Sequence, residues 1–338
     1  MRVGIFVAYW PWFSPEEQVE LGVLADKGGL DSVWMAEAWG QDAVSLSGYM
    51  AAKTERIALG TALMQIPARP PTATAMAAMT IDVLSGGRFR LGLGVSGPQV
   101  SEGWYGVPFA RPVSRTREYV EIVRMALSGK KVEVHGREFE LPLPDGLGKP
   151  LRMLAEPREI PIYLGATGPK AVELVGEIAD GWLPFMIDPD DPSALLEPLD
   201  AGLAKAGRTR ADLDVGVAVG MGMSDDLGAA RDAVRPLFAF YLGAMGAKEK
   251  NFYVDLAERA GFGDAARAVQ DAWLGGDRLG ALGLVPDALL DQLCIACKPG
   301  EVDKHLARFA DAGINTLLVV PCGPDRGAIV RALAEAAG

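Results

Sequence analysis

A closed (β/α)8 barrel is the fold class that the sequence predicts, and three observations predict it. Short apolar runs alternate with helix-length amphipathic segments at intervals of about 30 residues, the pattern of βα units in a parallel sheet. Eight such runs can be placed, each followed by a helix. No linker or low-complexity stretch divides the 338 residues, so one domain over 1–338 is expected. A doubly wound open sheet is the alternative architecture.

The elements follow in order. Val3 to Val7 reads as a buried strand; Ser14, Pro15 and Glu17 then supply an N-cap, an N1 proline and a capping-box acid for a helix to about Lys27, ended by Gly28 and Gly29. Ser32 to Met35 is the second strand, with a helix from about Asp42 to Lys53. Ile57 to Met64 is the third, followed by the proline-capped helix Pro71 to Leu84. Arg90 to Val95 is the fourth, with a helix from about Pro112 to Leu127. Val132 to Val134 and Glu138 to Leu141 flank a His-Gly turn like a small hairpin with His135 at its tip. Ile160 to Leu164 and Gly181 to Phe185 are the fifth and sixth strands, with helices Pro169 to Ile178 and Pro192 to Ala206. Leu213 to Met221 is the seventh. A helical insertion of about 225–293 precedes helix Glu301 to Ala312, strand Thr316 to Val320 and the closing helix Asp325 to Ala337. An insertion of that length is expected to cover the barrel mouth and set substrate choice.

Composition narrows the function. With 33 basic and 44 acidic residues the net charge is −11, which disfavours a phosphate-backbone or anionic-lipid surface, so neither nucleic acid nor membrane is an expected partner. Three cysteines and no signal-peptide pattern point to the cytoplasm. The pair Cys294 and Cys297 has no second CxxC for zinc, and only His135 and His305 exist to serve a metal or a Ser/His/Asp triad; no metal site is expected.

In a barrel of this kind the chemistry lies at the carboxyl ends of the strands. The turn Gly165–Ala166–Thr167–Gly168, followed by Pro169 and Lys170, leaves a strand and opens a helix, so its backbone N–H groups form an anion cradle or a plain structural turn. Val95, Ser96 and Gly97, before Pro98, read the same way. Glu37, just past the second strand, is either an acid with a raised pKa or the partner of a rim arginine such as Arg69 or Arg111. Asp42 reads as a helix cap. Trp10, Trp39 and Trp104 fall in rim segments and either line a pocket for a flat apolar ligand or pack the loops.

The stretches VWMAEAWGQDA (Val33 to Ala43), LSGGRFRLGLGVSGP (Leu84 to Pro98), IYLGATGPKAVELVGEIADGWLP (Ile162 to Pro184) and KNFYVDLAERAG (Lys250 to Gly261) resemble the bacterial luciferase-like monooxygenase superfamily. Within it they are most similar to the branch that uses the deazaflavin coenzyme F420. The resemblance implies an F420-dependent oxidoreductase, with FMN as the alternative cofactor in a monooxygenase, or a protein that binds F420 without turnover. It implies a homodimer, and a ring lying across the strand ends against a cis peptide at Ala62–Leu63, beside Met64. Val95 to Gly97 and Gly165 to Gly168 then hold the polar end, and Glu37 touches the ring system. Sugar-phosphate and alcohol dehydrogenases of the branch carry an Asp-His pair after strand two and a glutamate after strand four. Here Glu37, Ala38 and Pro98 stand in those places, which shifts the expected reaction towards reduction of an activated double bond in a small organic substrate.

Overall fold

The computed structural model describes residues 1–8, 12–246, 248 and 251–338, with the side chains of residues 194 and 195 left out of the description. Eight parallel strands close into a barrel: β1 (Arg2–Val7), β2 (Ser32–Met35), β3 (Ala58–Thr61), β4 (Phe89–Gly94), β5 (Ile162–Gly165), β6 (Gly181–Trp182), β7 (Asp214–Met223) and β8 (Thr316–Pro321). Closure comes from β8 pairing with both β7 and β1, in the registers Gly216↔Thr316 and Arg2↔Thr316. Helices surround the sheet, and the apolar faces of both meet in one continuous core.

Several boundaries differ from the sequence reading, each for a physical reason. The third apolar run does not continue as one strand to Met64. It breaks at a cis Ala62–Leu63 bond, and Met64–Gln65 resumes as a short piece paired to β4 through Met64↔Leu93 and Gln65↔Gly94. The sixth strand is only Gly181–Trp182, since Pro184 interrupts the ladder and a lone bridge joins Phe185 to Ala218. Ile295–Cys297 is a further strand on the end of β7, too short for periodicity to reveal. Residues 98–103, which lie outside the expected elements, form a single helical segment after Pro98. His135 is one step before the hairpin turn, paired across the ladder with Glu140. The insertion is helical, with helices at Leu227–Ala244, Phe252–Arg259, Gly263–Leu274, Arg278–Gly283 and Asp287–Leu293. No helix among the described residues is long and apolar enough to cross a membrane.

The amino-terminal end of the barrel is plugged. Trp34 is fully buried, donates from Nε1 to Ser32 Oγ at 2.9 Å and meets the Tyr163 ring edge-on at 5.0 Å. Tyr163 donates its hydroxyl to Asp214 (2.9 Å), which also pairs with Arg2 (2.8 Å), while Arg90 pairs with Asp31 (2.7 Å). A bare glycine at position 60 makes room for the indole. With that end filled by side chains, open space lies at the carboxyl ends of the strands.

Candidate active site

A cavity of about 700 Å³ opens there, within the range usual for a small-molecule or cofactor site. Its floor follows from strand geometry. Residues 63 and 65 share one face of the bulged third strand and line the cavity, whereas Met64 points the other way and is sealed in the core at 1% exposure. Leu63 lies over two glycines that face one another in register, Gly94 ending β4 and Gly165 ending β5. A Cβ at Gly94 would stand 2.7 Å from Leu63 Cδ1, and one at Gly165 would be closer still. Glycine at both positions is therefore what allows Leu63 to lie down and leave a flat surface.

Glu37 is placed by four donors. Both Arg69 guanidinium nitrogens reach its two oxygens at 2.7 Å, and the backbone N–H groups of Gln65 (3.0 Å) and Ala43 (3.1 Å) add to them. Of the two arginines considered from sequence, Arg69 is the partner; Arg111 pairs instead with Glu138. The bond to Glu37 is the main reason the Arg69 guanidinium is held above its ordinary pKa. Tyr119 donates to the Arg69 carbonyl at 3.1 Å and shares a 2.5 Å hydrogen bond with Thr74; burial pushes its phenol up to about 12. The Glu37 carboxylate is thus an acceptor saturated by protein donors. Asp42 caps the next helix through Ser45 N at 2.9 Å, as its position suggests.

The polar end of the cavity is made by Val95 to Gly97 and by Gly165 to Lys170. Ser96 adopts φ 60°, a left-handed turn that carries the chain sharply from β4 into Pro98. Gly168 and Pro169 open the helix Pro169–Ile178 with no side chain capping its first turn, and the turn before it is pinned by Trp182 Nε1 donating to Ala166 O at 3.0 Å. First-turn N–H groups, a helix dipole and Lys170 together suit an anion.

The opposite wall is aromatic. Phe185, just past β6, meets Tyr241 at 4.5 Å between ring centroids, and Tyr241 meets Tyr253 at 4.8 Å. Asn251 holds this wall together: buried between helices, it donates to Leu242 O (2.7 Å) and accepts from Tyr253 N (2.9 Å). Burial raises the Tyr253 phenol well above its ordinary value.

The structure therefore gathers Glu37, Trp39, Ala62, Leu63, Val95 to Gly97 and Gly165 to Gly168 around one cavity. Two residues expected there are elsewhere. Met64 is buried in the core because alternate residues of a strand face opposite ways, and Trp104, 65% exposed, follows the short helix 98–103 and points away from the lining. Trp10 lies outside the described residues. Sequence reasoning missed Gln65, Phe185, Tyr241 and Tyr253. The last belongs to the KNFYVDLAERAG stretch, whose resemblance signalled importance without assigning a role. Cys294 and Cys297 are free and buried, with burial raising both thiols, and neither is among the lining residues.

A closed parallel barrel with its cavity at the strand carboxyl ends is the architecture of TIM-barrel enzymes. More narrowly, the chain belongs to the luciferase-like monooxygenase family, whose model matches residues 1–316. It is 42% identical over 332 residues to a Mycobacterium tuberculosis protein named for coenzyme F420-dependent oxidoreductase activity, covering 96% of this chain and 95% of that one. It is 32% identical over 334 residues to the 5,10-methylenetetrahydromethanopterin reductase of Archaeoglobus fulgidus, with 96% and 95% covered. Among solved structures, the coenzyme F420-dependent tetrahydromethanopterin reductase of Methanopyrus kandleri superposes with a TM-score of 0.85 at 24% identity, over 99% of this chain and 98% of that one, and so shares the fold.

Proposed function

We propose that the chain is an F420-dependent oxidoreductase and that it works in the direction of reduction, on an activated, polarised double bond such as an enone or imine in a small organic substrate. The observation that carries the direction is the state of Glu37: it is the acidic residue of the described lining, its carboxylate is saturated by Arg69 and two backbone N–H groups, and no histidine joins it. Oxidising an alcohol requires a base beside the hydroxyl, and the described lining offers no free carboxylate and no imidazole; reduction needs only a proton source, which solvent can supply.

The described residues fit a deazaflavin. When bound, the coenzyme supplies a hydride at its central ring. Leu63 over Gly94 and Gly165 gives a flat backing for one face, so substrate approaches from the other. Ser96, Gly97 and Gly165 to Gly168 offer backbone groups to the polar tail, and Lys170 offers charge. Phe185, Tyr241 and Tyr253 exclude water and present an apolar face to substrate. Because the whole chain carries −11, retention of an anionic coenzyme falls to these local groups. The unit is read as one domain over 1–338, with the helices of 225–293 shaping the substrate side, and as a cytoplasmic homodimer.

Titrating the purified protein with F420 and with FMN, while following tryptophan fluorescence, tests the cofactor. Loss of F420H2 absorbance with a panel of enones and imines tests the reaction. Binding of FMN without F420 would replace this reading by an FMN-dependent monooxygenase, and tight F420 binding with no turnover of any substrate would leave a coenzyme-binding protein.

A further inference from the structure

Tyr253 brings a polar atom to the aromatic wall of the cavity. It stands in the first turn of the helix Phe252–Arg259, where Asn251 Oδ1 accepts from the Tyr253 and Val254 backbone N–H groups. Asn251 also donates to Leu242 O at 2.7 Å, which ties the start of this helix to the helix Leu227–Ala244. The Tyr253 ring is held on two sides, edge-on to Tyr241 at 4.8 Å and to Phe185 at 6.0 Å between centroids. Backbone and ring are fixed, and with them the line along which the hydroxyl points. That hydroxyl makes no hydrogen bond to any described residue, whereas the phenols of Tyr119 and Tyr163 both have partners. Nor is it sealed in the packing: it reaches open space, and the cavity is the space that Tyr253 lines. An enclosed tyrosine hydroxyl normally finds a partner, so one left free on a cavity wall calls for an acceptor from the ligand. Burial and the neighbouring Tyr241 hold the phenol above its ordinary pKa, which keeps it protonated, a donor and not a base.

We infer that the Tyr253 hydroxyl donates a hydrogen bond to the polar end of the substrate's double bond, a carbonyl oxygen or an imine nitrogen, and stabilises the negative charge that develops there. This rests on the proposed reading of the chain as an F420-dependent reductase. In the step, the hydride given up by F420H2 forms a C–H bond at the far carbon of an enone or at the imine carbon. The π pair moves to the oxygen or nitrogen, where the Tyr253 O–H meets it. F420H2 is oxidised to F420 with loss of that hydride and of one proton to solvent, and solvent returns one proton to the substrate. The phenol keeps its own proton throughout, so the step agrees with a lining that cannot deprotonate an alcohol. A donor fixed before the charge appears needs no rearrangement at the moment of transfer, which is what makes such a contact effective.

The experiment compares wild type with Tyr253→Phe, which keeps the ring between Phe185 and Tyr241 and removes only the hydroxyl. kcat and KM are measured with F420H2 and the panel of enones and imines, F420 affinity by tryptophan fluorescence, and folding by the thermal midpoint. Loss of a donor to developing charge should lower kcat by about 10²-fold, with F420 affinity within about twofold and the midpoint nearly unchanged. A packing role alone predicts no change in kcat, because the ring stays. A second measurement titrates 4-nitrophenolate, a stable oxyanion, into each protein with F420 bound; wild type should bind it about tenfold more tightly than the variant. A variant kcat within twofold of wild type for every substrate turned over would overturn this inference and leave the oxidoreductase reading standing. If no member of the panel is turned over, 4-nitrophenolate decides: equal affinity for the two proteins, or none for either, overturns the inference. Failure of wild type to bind F420 would overturn both readings.

Discussion

Gly94→Ala probes the flat floor most directly. A methyl group there would stand 2.7 Å from Leu63 Cδ1 and 3.3 Å from Leu63 Cβ. Ordinary carbon contacts lie at about 3.5 to 4.0 Å, so the leucine tip has to retreat by roughly 0.8 Å. Gly165 closes off retreat along the floor, because its backbone already lies under the same Cδ1. Leu63 is left to rise into the cavity, which is the space assigned to the coenzyme ring. Overpacking of this kind costs about 1 to 3 kcal/mol. Charged to the bound state, that weakens F420 binding by about five- to 150-fold, since 1.4 kcal/mol is tenfold. The protein without coenzyme should keep its thermal midpoint to within a few degrees, because the leucine has open space to enter. Fluorescence titration gives the dissociation constant and circular dichroism the midpoint. Pairing the change with Leu63→Ala should recover much of the loss, as the clashing tip is then gone. Wild-type affinity in Gly94→Ala would refute the role given to Leu63. A loss that Leu63→Ala leaves untouched would assign the effect to the added methyl alone.

Other perturbations separate structural from binding roles. Glu37→Gln leaves the Arg69 guanidinium without its counter-charge; with that side chain 21% exposed and able to rehydrate, urea denaturation should show a loss of about 2 to 3 kcal/mol, less than for a fully buried pair. Lys170→Ala should weaken F420 binding by about two- to fivefold and flatten its salt dependence, with FMN less affected if the longer anionic tail is what the lysine meets. Asp26 has a pKa below its ordinary value: burial pushes it up, but hydrogen bonds from the Glu55, Ile57 and Arg56 backbone N–H groups and the Arg56 charge outweigh that. A depressed folded pKa contributes stability above the ordinary value of 3.8 that is lost as pH falls through the folded one. Wild type should therefore exceed Asp26→Asn by about 1 to 3 kcal/mol at pH 7, with the gap narrowing below about pH 4 in urea titrations. A gap that is constant with pH would place the effect elsewhere.

Much of the barrel was legible because its signals are local. Val3 to Val7, Ser32 to Met35 and Thr316 to Val320 are apolar runs of strand length, and Ser14, Asp42 and Gly29 mark helix ends by their own chemistry, as the observed caps show. The Gly-rich turns at 95–97 and 165–168 were legible for the same reason, since a turn between strand and helix needs small residues. Where the reading went astray, the cause lay beyond the local window. Met64 faces the core because Leu63 and Gln65, its neighbours on the short piece paired with β4, face the cavity, and that phase is fixed by pairing with another strand. Trp104 is aromatic and near the rim, yet the turn after residues 98–103 carries it to solvent.

By itself the sequence determined the alternation of strand and helix, the rim on which chemistry would fall, and a shortage of histidine, with two in 338 residues. These are properties of composition and of neighbours along the chain. Only the tertiary structure decided that Glu37 would spend its charge on Arg69, 32 residues later, and that Leu63 would lie across Gly94 and Gly165 from two further strands. It also decided that Phe185, Tyr241 and Tyr253 would form one wall. Each of those contacts joins residues at least a dozen positions apart, and the pairing of neighbouring strands and the packing of helices beside them bring them within reach.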